Sequence, residues 1–259
     1  MNLFAIRTTI VATFAAVTAA GDVSSHNPIP KIQPQPSQAE QDYLQGIRFA
    51  EGQGVAQDYA LALKYYRRAA ETGYVAAEYN LAYCYANGFG VERDLEQAAQ
   101  WYRKAALQGD AEAQNNLGVL YSTGRGVRRS GRKAVHWYRL SAAQDNPEAT
   151  NNLGMMYLKG RGVKRDWNQA FRLFRKSADL GYAVAQNNLA LMYANGQAVE
   201  RDYIRAYAWL DVAAQQISGC AELRDQIGKE MTKAQIARAQ ALADAKRTQI
   251  SEKASQGEK

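Results

Sequence analysis

Near-identical segments recur every 36 residues: NNLGVLYSTGRGV at 115–127, NNLGMMYLKGRGV at 151–163 and NNLALMYANGQAV at 187–199. YNLAYCYANGFGV at 79–91 extends the series backwards, and DYLQGIRFAEGQGV at 42–55 carries the same glycine pattern. A fixed period of roughly 20–50 residues marks a solenoid or array, in which no unit buries its apolar face alone and stacking builds one continuous core. The units are 37–72, 73–108, 109–144, 145–180 and 181–216.

The apolar spacing within a unit predicts two helices. Ala113, Leu117, Leu120 and Tyr121 fall on one face of the first, as do Ala149, Leu153, Met156 and Tyr157. Ala134, Trp137, Tyr138, Ser141 and Ala142 form the stripe of the second. Gly73, Gly109 and Gly181 follow second helices, where a left-handed terminator suits glycine. Small residues alternate with Trp and Tyr, so that helices approach closely and rings fill the gaps.

The consensus, A-x-x-x-L-[GA]-x-x-Y-x-x-G-x-G-V-x-x-D-x-x-x-A-x-x-[WY]-[YF]-x-x-[AS]-A, resembles the Sel-1-like repeat family, a relative of tetratricopeptide repeats. The resemblance covers 37–216 and implies an all-α fold, a right-handed α/α solenoid of helix-turn-helix repeats. It also implies a closing helix introduced by a Met-Thr motif. Met231-Thr232 followed by Gln235 fits, as a capping box. The first unit departs from the pattern, with Gln41 and Gln45 where Ala113 and Leu117 stand, as suits a polar terminal cap. Ala198 replaces a loop glycine, so that loop is expected to be distorted.

The stretch GRGVRRSGRK (124–133) imitates two catalytic motifs. A phosphate-cradling loop would need Gly-Lys-[Ser/Thr] after a strand, whereas Gly131 precedes Arg132 and a helix comes before. Ser130 to Lys133 spells S-x-x-K, a β-lactamase signature, but S-D-N and K-T-G are absent. Aligned with its sisters, the stretch is a turn. Val55, Val91, Val127, Val163 and Val199 plug the core, and Asp58, Asp94, Ser130, Asp166 and Asp202 cap the second helix. His26 and His136 stand alone, and no catalytic, cofactor or metal site is expected. The column Asn80, Asn116, Asn152 and Asn188 is expected to tie down loop backbone.

Residues 1–20 read as a secretory signal: Arg7, a short apolar run and small residues before Gly21-Asp22. A Pro-rich linker occupies 21–36, closing helices 217–250 and a polar tail 251–259. The expected location is therefore the periplasm or outside the cell, with no transmembrane helix once the signal is cleaved. Cys84 and Cys220 lie several modules apart, on the order of 30 Å with helices about 8–10 Å apart. A disulfide needs Cα atoms within roughly 7 Å, so no intramolecular bridge is expected.

Binding surfaces are more legible than chemistry. In the related tetratricopeptide family the free face of the first helix lines a concave groove. The matching columns here are Tyr79, Asn115, Asn151 and Asn187, then Tyr83, Val119, Met155 and Leu191, amides and apolar anchors suited to an extended segment or helix. The net charge of +7 is concentrated in the third and fourth units, at +4 and +3, while the other three each sum to −1. Arg125, Arg128, Arg129, Arg132, Arg161, Lys164 and Arg165 form a basic edge suited to carboxylates or phosphates. The expected function is an exported scaffold or regulator binding a protein partner, an envelope segment or acidic face. A β-lactamase-like hydrolase and a binder of anionic envelope surfaces are the alternatives. Nucleic acid is not expected, for no groove-reading motif is present.

Overall fold

Residues 36–257 are described by the computed structural model, and all their regular structure is helical. The expected signal (1–20) and all of the linker but residue 36 lie outside the described residues. Five helical hairpins follow one another: α1 (Gln38–Glu51) with α2 (Tyr59–Glu71), α3 (Val75–Asn87) with α4 (Leu95–Leu107), α5 (Ala111–Thr123) with α6 (Gly131–Ala142), α7 (Pro147–Lys159) with α8 (Trp167–Asp179), and α9 (Ala183–Asn195) with α10 (Tyr203–Ala213). Two more helices follow, α11 (Gly219–Gly228) and α12 (Lys233–Gly257). The described residues divide into two compact units, unit 1 ending at Trp101 and unit 2 beginning at Tyr102, with the boundary inside α4.

Each turn is built by the same local chemistry. A first helix ends on a left-handed glycine: Gly52, Gly88, Gly124, Gly160 and Gly196. The second helix then starts on a side chain that accepts a backbone N–H three residues on, as Asp58, Asp94, Ser130, Asp166 and Asp202 all do. Each such cap contributes about 1 kcal/mol. Ala198 does not distort its loop. Its φ of 65° equals that of Gly126, so the turn keeps its path and the Cβ carries the strain. Asp145 likewise adopts φ 57° where Gly109 and Gly181 stand in the neighbouring repeats.

In unit 1, α1 packs on α2 and α2 on α3. Gly46 is required there, because a Cβ would lie 2.5 Å from the Tyr66 ring. Arg67 reaches from α2 to donate to the Tyr85 hydroxyl of α3 at 2.5 Å.

In unit 2 the same alternation runs from α5 to α10. Leu117, Leu153 and Leu189 are buried, as are Ala134, Ala170 and Ala206 at the small position that recurs in every second helix. The Tyr138 ring lies on Gly118 and the Phe174 ring on Gly154. Ser141 and Ser177 donate across their hairpins to the carbonyls of Ala111 and Pro147, at 2.7 and 2.6 Å. Arg103 bonds the Tyr121 hydroxyl, and Arg139 bonds that of Tyr157 at 2.8 Å, joining each second helix to the next first helix.

The last hairpin is covered by α11 and α12. Thr232 and Gln235 form the capping box, each bonding the other's backbone N–H. From that start α12 places Ala239 on Tyr207 and Met231, and Ala243 on Ala208 and Val212. Asp211 accepts from Arg224 of α11 at 2.6 Å and Arg247 of α12 at 3.0 Å, fixing both helices to α10.

Candidate functional site

Of the two loops of the basic edge, 124–130 and 160–166, the second lies backbone to backbone against Gly131, the residue that follows the first. A Cβ on Gly162 would lie 2.2 Å from the carbonyl carbon of Gly131, and one on Gly131 would lie 2.9 Å from the Gly162 nitrogen. Gly131 opens α6, where the other repeats have Tyr59, Leu95, Trp167 and Tyr203. Gly162 thereby lets its loop lie against the start of the preceding second helix, as Gly90 does against Tyr59 in unit 1. Arg132 and Arg161, the sequence neighbours of Gly131 and Gly162, stand on either side of that junction.

All seven basic-edge side chains, Arg125, Arg128, Arg129, Arg132, Arg161, Lys164 and Arg165, are exposed. None forms an ion pair among the described residues. They are not equivalent. Arg129, grouped by sequence with the basic edge, donates its Nε to the Ser122 carbonyl at 3.2 Å. Arg93 does the same to Ala86 at 3.0 Å in unit 1, so this arginine belongs to the turn itself. Arg165 lies over the Trp167 ring at 5.9 Å. Arg125, Arg128, Arg132, Arg161 and Lys164 have no comparable tie among the described residues.

Ser130 is held as a cap, its Oγ accepting from the Lys133 N–H at 3.3 Å. The Lys133 ammonium sits over the Tyr121 ring, 5.2 Å from its centre. The serine thus accepts from the lysine's backbone, and the lysine's charge is engaged by an aromatic face rather than aimed at the hydroxyl. His136 is exposed and meets only the edge of Trp137 in the ring contacts of its helix.

The first-helix columns divide in a way the sequence did not reveal. Asn115 is 1% exposed and Asn151 4%. Their amide oxygens are taken from within the molecule. Asn152 Nδ2 donates to Asn115 Oδ1 at 3.1 Å, and Asn188 Nδ2 to Asn151 Oδ1 at 2.9 Å. The Cys220 thiol stands 3.6 Å from Asn187 Oδ1, continuing the series in α11. Asn152 and Asn188 therefore do not tie down loop backbone as expected. They form a ladder from one first helix to the next, because side chains 37 residues apart face each other across stacked repeats. A buried amide oxygen without such a donor would cost about 1–3 kcal/mol. In unit 1, Tyr79 is buried and its ring stacks on Tyr83 with centres 6.3 Å apart. Asn80 lacks a ladder acceptor, since Tyr43 stands 37 residues earlier. Its amide atoms are buried together with the Tyr66 hydroxyl, the polar group it faces.

The apolar column stays partly open. Tyr83 in unit 1, and Val119, Met155 and Leu191 in unit 2, are half-buried. Met155 rests against the cluster that contains Phe174 and Leu189. Cys84 and Cys220 are free and buried. Burial pushes the Cys84 thiol up to about 12, far from the thiolate range of a nucleophile. No group of three or more His, Cys, Asp or Glu among the described residues could hold a metal ion, and no described helix is long and apolar enough to cross a membrane.

A family model described as Sel1 repeat matches residues 43–74, 75–110, 111–146, 147–182 and 183–218. A protective antigen of uropathogenic Escherichia coli displaying an SLR fold is similar in structure, with 36% identity and a TM-score of 0.78. That likeness covers 83% of this chain and 47% of the antigen, so the chain spans about half of its length. A Sel1 repeat protein from Oxalobacter formigenes has 29% identity and a TM-score of 0.71, covering 79% of this chain and 84% of that one. No curated relative matches.

Proposed function

The chain belongs to the Sel1 repeat family, and we propose that it is an exported, periplasmic or secreted scaffold that captures a protein partner on the first-helix face of unit 2. One observation carries this reading: Val119, Met155 and Leu191 are apolar and half-buried on three successive first helices whose spacing the asparagine ladder fixes. A row of apolar anchors on rigid helices suits a helix or extended segment of a partner, which would complete their burial. The amide column beneath, Asn115 and Asn151, supports those anchors and does not meet the partner. The basic edge adds electrostatic steering, which sets association rate and orientation more than affinity. Catalysis is no part of the reading, since Ser130 acts as a helix cap.

The test is a double variant. Val119→Ala with Leu191→Ala is expected to weaken partner capture from the native envelope fraction by about tenfold or more, a loss of at least about 1.4 kcal/mol, while the melting curve shifts little. Leu189→Ala, in the fully buried column, is the control and is expected to cost about 2–5 kcal/mol of stability. Unchanged capture by the double variant would refute the assignment of this face.

A further inference from the structure

Uncompensated charge on a folded surface is costly through self-repulsion and favours an oppositely charged ligand. The exposed side chains Arg125, Arg128, Arg132, Arg161 and Lys164 are such a set, held together by the Gly131–Gly162 backbone contact. From this geometry we infer that the edge is a docking strip for a short acidic protein segment rich in Asp and Glu, lying across these two loops. The inference deepens the scaffold reading, rests on it, and concerns a different surface.

Three observations choose the occupant. The strip is short. Helices of adjacent repeats pack about 8–10 Å apart, so two loops with their side chains present on the order of 20 Å. An extended chain covers that distance with about six residues at roughly 3.3 Å each. Beyond it the basic excess ends, because in the next loop Glu200 occupies the position held by Arg128 and Lys164, and Glu200 and Asp202 offset Arg201 and Arg205. A bilayer surface or a long nucleic acid would extend past the charged strip onto that neutral loop, whereas a short segment ends before it. Finally, the strip adjoins Trp167, 43% exposed and stacked by Arg165. Tryptophan and arginine are the residue types that dominate protein–protein binding energy. Guanidinium groups bind carboxylates in paired hydrogen bonds, so Asp and Glu side chains fit the arginines here.

Fluorescence anisotropy with a fluorescein-labelled hexaglutamate peptide and the full chain tests this. The peptide is expected to bind, to be released by added salt, and to bind at least about tenfold more weakly to Arg128→Glu with Lys164→Glu. Both positions are exposed and make no ion pair among the described residues, so the helical melting curve should be unchanged. Reversal of Arg172 and Arg175, basic residues elsewhere on α8, should leave binding as in the wild type. Peptide binding that survives the first pair of reversals overturns the inference. Retention of phosphatidylglycerol vesicles or a single-stranded oligothymidine as tight as that of the peptide, and equally sensitive to the reversals, overturns the choice of a protein segment. Loss of partner capture in the Val119/Leu191 variant with hexaglutamate binding unaffected, or the converse, separates this strip from the first-helix face.

Discussion

Gly162→Ala is expected to lower the unfolding free energy of unit 2 by about 2–5 kcal/mol. The left-handed φ of 77° accounts for roughly 1–2 kcal/mol once a Cβ is present. Overlap of that Cβ with the Gly131 backbone at 2.2 Å accounts for about 1–3 kcal/mol more, since backbone on both sides has nowhere to retreat. Gly109→Ala separates the two effects. Its φ is 97°, yet nothing lies within 4 Å of the added carbon, so it should show only the conformational cost. Equilibrium urea unfolding followed by helical circular dichroism measures both, and equal losses would show that the loop contact is not under compression. Any displacement of this loop from the start of α6 should also weaken hexaglutamate binding, although no charge is removed.

Phe174→Ala is expected to cost about 3–5 kcal/mol. The ring is 0% exposed, lies on Gly154, and belongs to the cluster of Leu189, Met192, Trp209 and Leu210. Its removal leaves a cavity that cannot collapse, because the ladder and the paired serine bonds hold the flanking helices at fixed spacing. Repeat stability is roughly a sum of intrinsic and nearest-neighbour terms. Weakening α8 should therefore loosen the α7–α8 and α8–α9 contacts together and broaden the transition. A sharp wild-type-like transition with a loss below about 1 kcal/mol would contradict this view of the core.

The architecture was legible because a 36-residue period exposes each structural role several times over. Leucine, alanine, capping and glycine columns recur in sequence and recur in space. Ser130 in an aspartate column disclosed a cap where a single copy spelled an active-site motif. Reading failed where a role depends on pairs of repeats. Asn115 and Asn152 look like two polar columns side by side, and only stacking reveals that one accepts from the other across 37 residues. Two of the amides expected to meet a partner, Asn115 and Asn151, are consequently internal. The signal was present in the doubled Asn-Asn of three units, but sequence carries no register between helices. Arg129 shows a related limit: in an arginine-rich loop the one that bonds its own turn resembles the others. Ala198 shows the opposite limit, since a turn fixed at both ends holds its path against the preference of one residue.

The central claim is that partners meet the first-helix face of unit 2. Site-specific photocrosslinking tests it most directly, with a benzophenone side chain placed at Leu191 or, for comparison, at Leu140, which is exposed on a second helix. Crosslinked partner from Leu191 and none from Leu140, in cells and under native conditions, is the expected result. Crosslinks from Leu140 with none from Leu191 would contradict the claim and move the binding surface to the second helices.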